Sequence, residues 1–327
     1  MKKFLKRISL FLGFCLLMSV IPSVAVDPFN VFHWRHIRST QTETNKNYVK
    51  TRYILANPEK FDTLLFGSSR GGAIHVENIP GARAYNMTSS DATPTENLDT
   101  IRTLLDGGVK LKKIYISVDS RSYTVDPEAH KSEPMRAPYR YLKEHPLAFA
   151  RLYLDPTTLT GFYLDGANKP GKQDVEVFYR YGWWRDYGLS PDPNLDQKGP
   201  SIGPGDYLEP TLQAMADIVA LCRERKVELV VFVGPMYKVT YRASVERDFH
   251  TFLTRLAEIT DYYNFSGLNG ITTDGSNFVD NSHYTAEVGD RLLRAMTGGG
   301  VEEALYRQGF GWYVTKDNVS QLLEVME

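Results

Sequence analysis

Two short stretches, far apart in the chain, carry side chains that suit acyl chemistry. Gly67-Ser68-Ser69-Arg70 follows the apolar run Leu64-Leu65-Phe66, and Asp280-Asn281-Ser282-His283 stands just before the amphipathic stretch 287–296. A serine hydroxyl is a poor nucleophile until a base accepts its proton. Histidine is the base whose titration lies nearest neutral pH. A carboxylate on the other ring nitrogen holds the tautomer and stabilises the imidazolium. The D-x-x-H spacing lets one loop supply both base and orienting acid, here His283 and Asp280. Taken singly, each piece has an ordinary reading: a polar turn after a strand, a turn carboxylate, a packed or helix-capping histidine. The two-ended pattern shifts the balance toward a nucleophilic serine.

Such a pattern works only if the intervening chain brings its ends together. Apolar, β-rich runs at 62–67, 83–87, 112–119, 227–234 and 261–267 alternate with helical patterns at 93–108, 207–226, 243–259 and 287–296. Continuous apolar strands alternating with amphipathic helices predict a parallel sheet covered on both faces. Ligands bind such sheets beyond the carboxyl ends of the strands, where Gly67-Ser68-Ser69 falls. Arg70-Gly71-Gly72-Ala73-Ile74 would begin a helix whose N–H groups face an anion. Residues 27–60 read as a juxtamembrane linker with a short helix ended by Asn57-Pro58. Residues 124–205 lack a clear period and read as an insertion over the carboxyl edge, either a lid or a structural excursion. Its aromatic cluster FYRYGWWRDYG (178–188) suits a sugar platform or a small satellite core. Residues 299–327 read as a helical tail.

The N-terminus sets location. Lys2, Lys3, Lys6 and Arg7 precede the uncharged residues 8–26. At about 1.5 Å per residue these span roughly 28 Å, close to a bilayer's hydrocarbon thickness. The basic flank places the rest outside the cytoplasm. Two readings stay open: a single-pass anchor over 1–26, or a secretory signal cleaved after Ser23-Val24-Ala25. A net charge of −1 gives no electrostatic case for nucleic acid. Cys15 and Cys222 make no disulfide framework, and His33 and His36 lack the further ligands a metal site needs, so neither metal nor cofactor is expected.

The residues resemble the SGNH (GDSL-type) hydrolase superfamily over roughly 61–298. The resemblance implies a flavodoxin-like three-layer α/β/α fold around a central parallel sheet. The family's Gly-Asp-Ser block is matched by Gly67-Ser68-Ser69, which makes Ser69 the expected nucleophile and puts Ser68 in a supporting position. The closing D-x-x-H is matched by Asp280 and His283. Where the family has a Gly donor this chain reads Asn86-Met87-Thr88-Ser89-Ser90, and where it has Gly-x-Asn-Asp it reads Ser117-Val118-Asp119-Ser120. An ionised Asp cannot donate the hydrogen bond that Asn would. Asn86 and Arg121 are therefore the substitute oxyanion donors to consider, with Asp119 an edge residue of the same pocket. Arg70 would steer an anionic polymer or form a surface salt bridge with Asp119. Tyr237, after the fourth strand, would line the pocket, and His75 reads as a helix-face residue.

The N-terminal segment followed by Asp27-Pro28-Phe29 is similar to the membrane-anchored branch of that superfamily, which includes the teichoic-acid D-alanyl-transfer and alginate O-acetylation proteins. That likeness implies an extracytoplasmic acyltransferase or esterase acting through an acyl-enzyme on Ser69. Its substrate would be a cell-envelope glycopolymer, with a membrane-bound protein as acyl donor. The rival reading is a non-catalytic envelope-assembly protein that binds polymer in the same cleft. A plain secreted esterase is a third.

Overall fold

The computed structural model describes residues 1–37, 42–155, 175–182 and 191–326. Six strands form one sheet in the order β2-β1-β3-β4-β5-β6. They are β1 (Thr63–Phe66), β2 (Ala84–Asn86), β3 (Lys113–Val118), β4 (Glu228–Val233), β5 (Tyr262–Asn264) and β6 (Trp312–Val314). The first five are parallel and β6 runs antiparallel to β5. Chain progression reverses between β1 and β3, which opens a crevice at their carboxyl ends.

Alternation along each strand feeds two cores. Leu64 and Phe66, Ile114, Ile116 and Val118, and Val231 and Val233 face one side. There they meet helices Pro94–Asp106, Leu208–Glu224 and Phe249–Ile259. Leu65, Tyr115 and Phe232 face the other side, against helix Ala286–Met296. The result is a sheet between two helical layers, as the sequence pattern predicts. Ile101 and Leu104 are fully buried on helix Pro94–Asp106. Each contributes about 1.5–3 kcal/mol over an exposed position. The same helix starts on a capping box between Thr93 and Glu96, with Pro94 in its first turn. Loss of such a cap typically costs about 1 kcal/mol.

Two details depart from the sequence expectation, and two segments gain detail. The stretch 243–259 is two helices, Lys238–Val245 and Phe249–Ile259, because Asp248 adopts a left-handed φ of 62°. That break turns Phe249, Phe252, Leu253 and Leu256 into the core. Strand β6 was not legible, since its three residues follow Gly311 and are too few to show alternation. Residues 27–60 are no free linker: helix Lys46–Ala56 buries Ile54 in the main core and Tyr48 against Phe29 and Val31. The described part of 124–205 is also folded, with helices Pro127–His130, Tyr139–Glu144, Pro146–Tyr153 and Val175–Tyr181. Residues 183–188 of the aromatic cluster lie outside the described residues, as do residues 156–174 of the insertion.

The chain turns sharply at Gly67 to present the serines. Its φ is +142°, and a Cβ there would lie 2.8 Å from the Ser117 Cβ and 2.9 Å from the Ser117 carbonyl oxygen. Gly67→Ala is expected to lower the free energy of unfolding by at least roughly 1–3 kcal/mol, from backbone strain alone. Urea denaturation measures this; an unchanged midpoint would contradict the close approach.

Candidate active site

The turn that carries Ser68 and Ser69 begins where β1 ends. Ser69–Ala73 is a single 3-10 turn and not the start of a longer helix. Ser68 caps it, its hydroxyl accepting from the Arg70 N–H at 3.4 Å and facing the Asp119 carboxylate at 3.4 Å. Ser69 opens the turn. Its backbone N–H is therefore among the leading groups that a helical turn leaves without an internal acceptor.

The other half arrives from helix Ala286–Met296. Gly289 lets that helix lie against the nucleophile turn, for a Cβ there would stand 2.7 Å from the Ala73 carbonyl oxygen. His75 contributes by pairing with Asp290 at 3.1 Å; it precedes the 3-10 turn Val76–Asn78 and is not on a helix face. Just before the helix, Phe278 and Tyr284 bridge antiparallel, and the Val279 N–H donates to the His283 carbonyl at 2.9 Å. The loop between them carries Asp280 and His283.

These two pieces meet. Ser69 Oγ lies 2.8 Å from His283 Nε2, across 214 residues of sequence. His283 Nδ1 lies 2.9 Å from Asp280 Oδ2 and 3.0 Å from Oδ1. Asp280 Oδ1 also accepts the N–H groups of Ser282 at 2.7 Å and His283 at 2.8 Å. Burial raises the Asp280 pKa, but its bonds to the His283 ring and to these amides outweigh that and bring it to about 2. The carboxylate is thus ionised throughout the range in which a histidine titrates, and it meets the ring nitrogen opposite the one that faces Ser69.

Arg70 holds the two halves in register. Its guanidinium is 1% exposed and forms an ion pair with Asp119 at 2.8 Å, both groups buried. This corrects the expectation of a surface salt bridge: the cation lies beneath the nucleophile turn, because the turn folds its side chain back toward the end of β3. Arg70 Nε donates to Ser282 Oγ at 3.1 Å, and a terminal nitrogen donates to the Ser201 carbonyl at 2.7 Å. One side chain therefore ties the nucleophile turn to the carboxyl end of β3, the D-x-x-H loop and the 199–201 segment.

A cleft of about 350 Å³ opens over Ser69 and His283. Its other walls are Glu43, Lys46, Ser90, Asp91, Arg121, Arg136, Ser201 and Ser282. Arg121 is there as expected, its Nε donating to Asp91 at 2.6 Å; Arg136 pairs with the other oxygen of Asp91 at 3.0 Å. Burial raises the pKa of Asp91, and the two guanidinium groups more than reverse this. Glu43 accepts from Lys46 at 2.6 Å and from the Ser90 hydroxyl.

Three expected pocket residues lie elsewhere. Asn86 is fully buried, its amide donating to the Gly71 carbonyl at 3.1 Å and its oxygen accepting from Thr88. Its work is to brace the nucleophile turn from below. Asp119 accepts from the Arg121 N–H at 2.7 Å and pairs with Arg70, so it supports the site without lining the cleft. Tyr237 packs on Phe278 and donates to Asp196 at 2.6 Å, away from the cleft. Asp91, Arg136, Glu43 and Lys46 were not anticipated as site residues. Asp91 follows β2 by a few residues and could have been found from the rule that strand carboxyl ends line the crevice; Glu43 and Lys46 gave no such signal. The chain matches no protein-family model and no curated protein.

Proposed function

We propose that this chain is a membrane-anchored, extracytoplasmic serine acyltransferase or esterase of the SGNH type, acting on a cell-envelope polysaccharide or teichoic-acid-like polymer. The observation that carries the reading is the unbroken Ser69–His283–Asp280 relay at 2.8 and 2.9 Å. Ser69 Oγ attacks the acyl carbonyl carbon as its proton passes to His283 Nε2. The tetrahedral intermediate collapses, the bond to the leaving alcohol breaks, and His283 protonates that alcohol. An acceptor hydroxyl, from a sugar or from water, then attacks the acyl-Ser69 carbonyl and gives its proton to His283, which returns it to Ser69. In this reading the Ser69 N–H and the Arg121 guanidinium, which shares the cleft wall, would be the oxyanion donors; one such donor is typically worth about 10²–10³ in rate. The anchor is the helix Lys2–Val26, long and apolar enough to cross a bilayer. The acyl donor would be a membrane-bound partner.

The test is labelling of the full chain in detergent by a serine-directed fluorophosphonate. Labelling is expected for the natural sequence, and is expected to be lost in Ser69→Ala and strongly reduced in His283→Ala. A second reading, polymer binding without turnover, is favoured by the fact that Asn86 and Asp119 both spend their polar groups on the scaffold. An unlabelled but folded protein would select it.

The cleft wall also bears on the acyl group. Among the described residues, none of the side chains lining it is apolar. A hydrocarbon chain gains about 0.8 kcal/mol per CH₂ only where it finds apolar cover. Specificity is therefore expected to favour short or polar acyl groups: kcat/KM for p-nitrophenyl acetate should equal or exceed that for the octanoate. A several-fold rise from acetate through butyrate to octanoate would refute this.

A further inference from the structure

We propose that the surface around the exit of the N-terminal helix is a second membrane contact, in which Trp34, Arg35, Leu147 and Arg151 rest on an anionic lipid bilayer. The inference depends on the anchor reading above and extends it from a tether to an orientation.

The chain does not leave the helix as a flexible leash. Asp27 ends the helix with a φ of 44° and is 1% exposed. Its carboxylate accepts the N–H groups of Val31 at 2.9 Å, Phe32 at 2.9 Å and His33 at 2.6 Å. Ser23, in the helix's last turn, is also buried. The residues so gathered pack at once on helix Pro146–Tyr153: Phe29 meets Tyr153 at 5.9 Å between ring centroids, and Phe32 meets Phe149 at 5.7 Å. Phe32 comes six residues after Val26, so it lies at most about 21 Å from the helix end. Helix Pro146–Tyr153 is therefore held beside the point where the chain meets the bilayer surface.

That helix presents Leu147 at 85% exposure, the most exposed large apolar side chain among the described residues after residue 26. A lone exposed leucine is ordinary. This one borders a hollow of about 400 Å³ shared with Tyr141, Leu152, Lys131 and Arg151. Trp34, half-buried against Ile37, Val49 and Phe178, is covered by the Arg52 guanidinium at 4.5 Å, and Arg35 and His36 beside it are exposed. Tryptophan and tyrosine favour the headgroup level of a membrane. Lys and Arg side chains are attracted to an anionic lipid surface within a Debye length of it. Lys131 and Arg140 are matched by Glu128 at 2.6 Å and Glu144 at 2.8 Å, so the charge offered to a lipid surface is that of the exposed Arg35 and Arg151. Continuity with the anchor and this charge select a lipid surface over a second protein.

The consequence reaches the cleft. The Asn45 N–H donates to the Phe29 carbonyl at 3.1 Å, and the Asn45 side chain donates to the Tyr153 hydroxyl at 2.8 Å. Glu43 and Lys46, on either side of it, line the cleft. A docked patch would hold the cleft rim close to the bilayer, within reach of an acyl donor embedded there.

The test places a nitroxide on the full-length chain reconstituted in vesicles of phosphatidylcholine with a quarter phosphatidylglycerol. One sample carries Leu147→Cys with Cys15→Ser, a second carries Lys316→Cys with Cys15→Ser, and a third uses the natural Cys15. Cys222 does not interfere, since burial pushes its thiol up to about 11. The ratio of oxygen to nickel-chelate collision rates is expected to be several-fold higher at Leu147→Cys than at the exposed Lys316→Cys. Adding Arg35→Glu and Arg151→Glu is expected to bring it down to the Lys316→Cys level. A high ratio at Cys15 with an aqueous ratio at Leu147→Cys would overturn the proposal while leaving the anchor intact. An aqueous ratio at Cys15 would overturn the anchor, and this inference with it.

Discussion

Asp280→Asn is expected to slow formation of the acyl-enzyme by about four orders of magnitude while leaving the fold intact, the scale seen when the carboxylate of a Ser-His-Asp triad becomes an amide. The reason lies in the tautomer. In the natural protein both carboxylate oxygens face His283 Nδ1, at 2.9 and 3.0 Å, so that nitrogen carries the proton and Nε2 presents a lone pair to Ser69. The Ser282 and His283 N–H groups fix one oxygen of residue 280 as an acceptor. An asparagine keeps its carbonyl there and turns its NH₂ toward Nδ1. The imidazole then holds its proton on Nε2 and cannot accept one from Ser69. Geometry survives and chemistry does not, so circular dichroism should change little and the unfolding midpoint should fall only by the stability that the ionised carboxylate contributes, while single-turnover labelling slows. The pH dependence follows from the pKa of about 2. That value lies below the ordinary one for Asp, so the ionised group contributes stability that is complete above about 4 and is lost as the pH falls through about 2. Activity of the natural protein should therefore show no limb from Asp280 above pH 4. Equal rates for Asp280→Asn and the natural sequence would remove the acid from the mechanism.

What the sequence discloses and conceals has a physical pattern. The strands were legible because β1, nearly all of β3 and the second half of β4 are buried on both faces and read as apolar runs. Ser69 and His283 were legible because their chemistry is rare in combination and because each adjoins a strong element, β1 or helix Ala286–Met296. Charged residues that build the cleft were not. Glu43 and Lys46 lie in polar chain that looked like a linker, and they gain a place only through the Ser90 hydroxyl on Glu43 and the bond from Asn45, between them, to the Phe29 carbonyl. Asn86 and Asp119 show the opposite failure. Their positions at strand ends were right for a pocket, but a side chain at a strand end points up into the crevice or down into the scaffold, and the sequence does not say which. Arg70 decides the matter for Asp119. A buried guanidinium must be paired, and Asp119 is the carboxylate beside it.

That pair is where a single substitution should cost the most stability. Arg70→Met is expected to lower the free energy of unfolding by about 3–5 kcal/mol, the usual penalty for leaving one partner of a buried ion pair behind. Asp119 would retain only the Ser68 hydroxyl at 3.4 Å and the Arg121 N–H at 2.7 Å. Burial already weakens the hold of Arg70 on its charge, and Asp119 opposes this; the pair balances two desolvation costs against one short contact. If desolvation dominates, the double variant Arg70→Met/Asp119→Leu should recover most of the lost stability, since apolar replacement of a whole buried pair is often neutral. Its activity should not recover. The bonds from Arg70 to Ser282 and to the Ser201 carbonyl have no substitute in methionine, and they set the D-x-x-H loop against the nucleophile turn. Urea denaturation of the two single variants and the double closes the cycle, and fluorophosphonate labelling of the same set reads the register of Ser69 and His283. Recovered stability with depressed labelling would assign Arg70 to positioning. Recovery of both would mean that the pair serves the fold alone, and that the catalytic loop finds its place without it.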